Sequence, residues 1–313
     1  MAYFQLCNIF AKKISRMRIV GLGNALTDVL ARLHSDECFD EMGLLKGGMQ
    51  LIDEEKLLRI MSVFEGLETT LASGGSAANA VSGVARMGIE SGFIGKIGRD
   101  AYGRFFREDM ERNGVQTLLI EGEQASGCAM TMITPDGERT FGTFLGAAAT
   151  LCAEELSAEM FEGYDILHIE GYLVQDTSLI LRAVQLAKEV GLSVSFDMAS
   201  YNVVKDNYAI IRDLVENYVD ILFANEEEAL AYTGEEPRKA TEILSQYCRI
   251  AVVKCGAQGS FVGCEGIITE VPATPEVRVD STGAGDLYAS GFLYGLSQNC
   301  SLGVCGAIGS LLA

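Results

Sequence analysis

Basic residues are scarce in this chain: 24 lysines and arginines stand against 43 aspartates and glutamates in 313 residues, a formal charge of −19. A surface of that sign repels phosphate backbones and anionic lipid, which excludes nucleic acid and membrane surfaces as partners and leaves small molecules. Histidine is rarer still, with His34 and His168 alone, and the nine cysteines form no Cys-x-x-Cys pair. Neither a zinc site nor a disulfide framework fits that inventory, and free thiols imply a reducing compartment, the cytoplasm. Four prolines and no low-complexity tract argue against a flexible tether between two domains. No apolar run reaches the roughly 18 to 20 residues of a bilayer span.

Apolar residues are what the chain has, at 49%, enough for a sizeable core. Short apolar strands are expected at residues 18–22, 91–94, 165–170, 192–197, 220–224 and 250–254. Amphipathic helices are expected between them at 53–64, 76–87, 101–113, 177–190, 207–217, 238–247 and 286–296. Strands apolar on both faces, such as Ile221-Leu-Phe-Ala, belong to a parallel sheet covered by helices on both sides. The expected fold is a doubly wound, mostly parallel α/β sheet with helices on both faces, and ligands along the edge where the strands end.

Two segments, about 29–52 and 116–145, alternate instead and are punctuated by turns, notably Pro135-Asp-Gly between two strand-like runs. They are read as a small β lid on a single domain spanning 17–313, whose main body is about 17–28, 53–115 and 146–313. Residues 1–16 carry their charges Lys12, Lys13 and Arg16 after the apolar stretch, the reverse of a secretory signal, and are read as an extension, with Met17 a candidate start. The chain stops at Ala313 inside an expected helix.

The most specific motif is Asp280-Ser-Thr-Gly-Ala-Gly-Asp286, between a β-branched run and a helix. Glycines at 283 and 285 let successive amides point one way at a helix N-terminus, an anion hole. A carboxylate directly after such a hole would repel phosphate unless it had a task, and taking a proton from a hydroxyl nucleophile is one; an ordinary acidic first-turn residue is the plainer alternative. Gly74-Gly75-Ser76-Ala-Ala-Asn79 opens another helix, where Ser76 as N-cap would suffice to explain it. Asn24 and Asp28 follow the first strand, where a carboxylate can bind paired sugar hydroxyls or simply cap a turn. Asn225-Glu-Glu-Glu228 has the spacing of a capping box and equally of a site for water-coordinated Mg²⁺. Lys254-Cys-Gly256-Ala-Gln-Gly259 places a cation and permissive backbone after another strand. Gly21-Leu-Gly23 lacks the third glycine of a dinucleotide fingerprint, and no P-loop sequence occurs.

Taken in order, Gly74 to Asn79, Gly95 to Gly103, Asn225 to Glu228, Lys254 to Gly259 and Asp280 to Asp286 resemble the ribokinase-like (PfkB) carbohydrate kinases over nearly the whole chain from Met17. Gly21 to Asp28, Thr143 to Ala149 and His168 to Leu173 look most like the adenosine kinase branch. The resemblance implies ATP and Mg²⁺ as cofactors, with Asp286 as base and Gly283, Ala284 and Gly285 as the anion hole. It implies Asn24, Asp28, Gly74, Gly75, Asn79 and Arg139 around the acceptor. Asn225, Glu228, Lys254, Gly256, Gly259 and Thr282 would line the ATP site, with Glu228 reaching Mg²⁺ through water and Asp280 and Thr282 holding a potassium ion. The expected reaction is transfer to a primary hydroxyl, the 5′-hydroxyl of adenosine first and a ribokinase- or fructokinase-type sugar, or another nucleoside, second. Phe141, Phe144, Leu145, Tyr172 and Leu173 are candidates for a base slot, with core packing as their alternative. A nucleotide sensor without turnover is the reading from another class, and monomer and homodimer are both open.

Overall fold

The computed structural model describes residues 17–274 and 283–313. Nine strands form one sheet in the order Ile267–Val271, Ser260–Cys264, Ile250–Lys254, Ile221–Asn225, Ser193–Asp197, Ile166–Glu170, Ile19–Leu22, Ser91–Gly98, Val115–Gly122. All neighbours run parallel except around Ser260–Cys264, which is antiparallel to both of its partners. The first strand lies inside the sheet, so later strands are added on both of its sides. Its C-terminal end is therefore a switch point, where crossovers leave in opposite directions and open a crevice.

Both faces of this sheet are buried. Alternate residues of single strands go to opposite cores: Val20 and Leu22, Leu167 and Ile169, and Leu222 and Ala224 pack with the helices Thr177–Glu189 and Tyr208–Asn217. Ile19, Ile166, Ile221 and Phe223 pack with the helices Ser76–Arg86 and Ala284–Ser297. That double burial is why these strands read as continuous apolar runs. The expected helices form within three residues of their expected bounds, several started by the acid that precedes them: Asp53 accepts from the Lys56 amide at 2.9 Å and Asp100 from the Gly103 amide at 2.8 Å. Among the described residues no helix is long and apolar enough to cross a membrane.

A second sheet has the order Gly48–Leu51, Arg139–Phe144, Gly127–Ile133, Leu26–Arg32, Thr69–Gly74. The hairpin around Pro135-Asp-Gly is present, Gly127–Ile133 pairing antiparallel with Arg139–Phe144. Three strand placements differ from expectation. Residues 116–122 belong to the large sheet, where Val115–Gly122 pairs parallel with Ser91–Gly98 as a buried-edge strand, its alternation reflecting that edge. Thr69–Gly74 supplies a small-sheet strand that its polar threonines and glycine concealed. Asp28 sits within the small sheet, because Leu26–Arg32 crosses over directly after the first strand.

One face of the small sheet packs a hydrophobic core against helices. Val29, Ala31, Cys128, Met130 and Met132 pack on Phe39, Met42, Leu57, Ile60 and Phe64. By strand alternation the opposite face carries Asp28, Leu30, Ala129, Thr131, Phe141 and Thr143, with Met49 and Leu51, both more than half exposed, on the edge strand.

Candidate functional site

The C-terminal ends of the large-sheet strands bring Asn24, Glu170, Asp197, Asn225 and Lys254 to one edge. Across from them two helices begin side by side. Ala284–Ser297 is preceded by Gly283 at φ 74°, a left-handed turn that favours glycine. The amides of its first residues, Ala284, Gly285 and Asp286, have no partner inside the helix and carry its positive dipole end. Ser76–Arg86 starts after Gly75 at φ 100°, where a side chain would meet the Asn24 carbonyl at 2.2 Å.

Asp286 is where the two helices join. Ser76 Oγ donates to its Oδ1 at 2.7 Å and Asn79 Nδ2 donates to its Oδ2 at 2.9 Å. Ser76 and Asn79 are three apart on one helix face, so a single helix turn fixes the carboxylate at both oxygens. The helix behind Asp286 is pinned in turn: Ser290 Oγ donates to the Ala80 carbonyl at 2.8 Å, in space that Gly83 leaves, since a Cβ there would stand 2.3 Å from that hydroxyl. Burial pushes Asp286 up to about 6, against the Asn79 and Ser76 bonds and Lys254, with Asp197 adding to the rise. A carboxylate so poised is ionised at neutral pH and still basic enough to take a proton.

Asp28 faces the same cleft from the small sheet. Burial, then the like charge of Asp286, raises it to about 6. Gly74 has no side chain because one would lie 2.5 Å from both Asp28 oxygens. At the other end Lys254 Nζ donates to Asp197 Oδ2 at 2.9 Å and stands 3.1 Å from where a Cβ on Gly285 would be, so the ammonium lies beside the helix-opening turn. Burial alone would lower the lysine, but Asp197, Glu228 and Asp286 raise it above its ordinary value. Asn225 and Glu228 make the capping box in full, Asn225 Oδ1 accepting from the Glu228 amide at 2.8 Å and Glu228 accepting from the Asn225 amide and side chain, both at 2.7 Å. Glu228 is buried, which raises it, with Asp197 adding to the rise and Lys254 opposing it. Gly256 and Gly259 form a turn at φ 50° and 93°, where a Cβ on Gly259 would strike the Val271 carbonyl.

Other expected residues are placed differently. Asn24 is turned inward, its side chain and amide donating to Glu170 Oε1 at 2.6 and 2.9 Å. Arg139 aligns through Ile133 with Arg32, four residues beyond Asp28, about 13 Å farther along the small sheet. Phe144 packs in the small-sheet core and Leu173 in the large-sheet core, so neither lines a slot; Tyr172 stays partly buried near Glu170 and Phe141 lies half-buried on the small-sheet face opposite that core. Asp280 and Thr282 lie outside the described residues.

Three residues of the site escaped the sequence reading. Ser76 passes for a helix cap, and its role is visible only once Asp286, 210 positions away, packs against it. Glu170 is fully buried, accepts also from the Ala77 amide at 3.1 Å, and is raised to about 7 by burial against its hydrogen bonds. Both it and Asp197 are the single acids that close their strands, at the edge where Asn225 and Lys254 also close theirs. That pattern was available in the sequence.

A family model described as pfkB family carbohydrate kinase matches residues 42–313. An uncharacterized sugar kinase of Archaeoglobus fulgidus is 30% identical over 74% of this chain and 92% of its own length. A 5-dehydro-2-deoxygluconokinase of Listeria monocytogenes is 30% identical over 90% of each chain. Among solved structures, an adenosine kinase from Sinorhizobium meliloti superposes with a TM-score of 0.82 at 32% identity, covering 95% of this chain and 93% of that one.

Proposed function

Because the chain belongs to the pfkB family of carbohydrate kinases, phosphotransferases with a sugar or nucleoside acceptor, we propose that it moves the γ-phosphoryl group of ATP to the 5′-hydroxyl of adenosine. The observation that carries the phosphotransfer reading is Asp286, held at both oxygens beside a helix N-terminus. Asp286 takes the proton of the primary hydroxyl as that oxygen attacks phosphorus, while Ser76 and Asn79 keep the carboxylate aimed. The amides of Ala284, Gly285 and Asp286, with Lys254, face the charge on the moving group. Asp28 holds two acceptor hydroxyls from the small sheet, and closure of that sheet keeps water from the reacting atoms.

Among the described residues no three His, Cys, Asp or Glu side chains are grouped to ligate a metal directly. Glu228, its oxygens already held by Asn225, fits contact through water with a Mg²⁺ that arrives on the ATP phosphates. When bound, that ion neutralises charge on the transferring phosphoryl group. A potassium ion at Asp280 and Thr282 remains part of the proposal.

The nucleoside is favoured by the adenosine kinase likeness at 32% identity and by half-buried Phe141 beside the exposed Met49 and Leu51 of the edge strand, a surface that suits a flat base. A free sugar is the second reading, favoured by the sugar-kinase relatives and by the loss of Phe144 and Leu173 to the cores. Calorimetric titration with adenosine, inosine, ribose and fructose separates them. Adenosine binding at least about tenfold more tightly than either sugar is expected, a difference of about 1.4 kcal/mol; a sugar binding more tightly than both nucleosides overturns the nucleoside reading and leaves the kinase standing.

A further inference from the structure

We infer that Asp197 is a positioning residue, whose carboxylate holds the Lys254 ammonium against the turn opening the Asp286 helix. The inference rests on the phosphotransfer reading for its consequence, and on geometry for its substance. Asp197 closes the strand Ser193–Asp197, and its two oxygens have separate partners: Oδ2 receives Lys254 Nζ at 2.9 Å and Oδ1 receives the amide of Ala199 at 3.1 Å. Both members of the pair are largely buried, with side chains 8% and 15% exposed.

The chain bends unfavourably to make this. Ala199 sits at φ 68°, a left-handed conformation that costs a residue with a Cβ, and is one of three non-glycine residues that adopt positive φ among the described residues. That bend brings the Ala199 amide back onto Asp197, so the carboxylate is fixed before any ligand arrives. A free lysine at this position would have many rotamers to search and only groups of the ligand to meet. Held by Asp197, it already stands beside Gly285. Its other charged or titratable neighbours are Glu228 and Asp286 on the helices Glu226–Thr233 and Ala284–Ser297, with His168 behind it on the strand Ile166–Glu170 and Tyr288 on the Asp286 helix. Asp197 is the member of this set that hydrogen-bonds the ammonium.

The plainer account is that the bend serves only to bury Met198 and start the helix Tyr201–Asp206, which Ser200 caps. Asp197→Asn separates the two, because an asparagine oxygen still accepts from Ala199 while the charge facing Lys254 is gone. Expected is a fall in kcat of about 10- to 100-fold with KM for MgATP moving less than about threefold. Lys254→Met alone should fall at least as far, and the Asp197→Asn, Lys254→Met double variant no further, since two residues acting through one contact are not additive. Asp197→Ser, which also keeps an acceptor for Ala199, serves if the asparagine variant does not fold. Independently of turnover, the ¹⁵N resonance of the Lys254 side chain should move in Asp197→Asn. Normal kcat, losses that multiply in the double variant, or an unmoved lysine resonance each overturn the inference. Failure of the wild type to phosphorylate any acceptor overturns the kinase reading instead, and the resonance still decides the role of Asp197.

Discussion

The large sheet packs a hydrophobic core on each face and the small sheet on one, and the candidate site draws residues from both sheets. In the large sheet the strand ends at the site are tied to neighbours: Asn24 to Glu170, Asp197 to Lys254, Asn225 to Glu228. Asp286 is locked to the helix Ser76–Arg86 by two bonds of its own. The small sheet instead brings a partly buried Asp28 to the cleft, with Phe141 half-buried on the same face and Met49 and Leu51 exposed on its edge strand. On the proposed function, chemistry sits on the doubly covered layer and acceptor recognition on the small sheet, so substitutions in the two layers should fail in different ways.

The largest effect belongs to the doubly covered layer. Asp286→Asn keeps the shape and one acceptor oxygen but removes the base, and kcat should fall about 10² to 10⁴-fold with acceptor binding retained; a folded variant with near-normal turnover removes Asp286 from the chemistry. Asp28→Asn, in the small sheet, should instead raise KM for the acceptor about 10- to 100-fold with a smaller change in kcat, as loss of charged hydrogen bonds to hydroxyls requires. An equal fall in kcat would mean that the layers do not divide the work.

Gly83→Ala tests how firmly the doubly covered layer must be packed. Its methyl group would press on Ser290, cost about 1 to 3 kcal/mol of stability and shift Asp286 from Asn79, reducing kcat severalfold, whereas an added methyl in open space would do neither. Unchanged melting and turnover would show that the helix pair gives way there.

The smallest effect is the pH dependence of stability. Asp28 and Asp286, at about 6, and Glu170, at about 7, are raised chiefly by burial, and Glu228 is raised likewise. Groups raised on folding bind protons more tightly in the folded chain. Their contribution is whole below the ordinary carboxylate range and is lost as pH rises through 6 to 7. The melting temperature of the ligand-free protein should therefore fall between pH 5 and 8, and less steeply in Asp28→Asn. The rate on subsaturating acceptor should fall the other way, below about pH 6, as Asp286 becomes protonated. Melting that rises across the same range contradicts the burial account.

The large sheet was legible because double burial writes unbroken apolar runs, and Asp286 because two glycines announce its turn. The small sheet was half legible. Its hairpin carries a turn signal, but Thr69–Gly74 is polar and short, and Val115–Gly122 alternates like a lid strand while pairing in the large sheet. What escaped depends on distant contacts: Ser76 serves Asp286, Glu170 serves Asn24 and Ala77, and Asp197 serves Lys254. Each of these contacts joins residues at least 57 positions apart, so the acids closing their strands could be noticed locally but their partners could not. The capping box at Asn225 shows the reverse case, where the local pattern was met in full and still left room for a second role.

The central claim is that Asp286 activates a primary hydroxyl toward ATP, and ³¹P NMR of the products tests it directly. With wild-type protein, ATP and adenosine, the account predicts ADP together with a new phosphomonoester whose phosphorus couples to two methylene protons, and none of that ester with Asp286→Asn over the same time. ADP and inorganic phosphate in equal amounts whatever the acceptor, or the same ester formed at the same rate by Asp286→Asn, would contradict it.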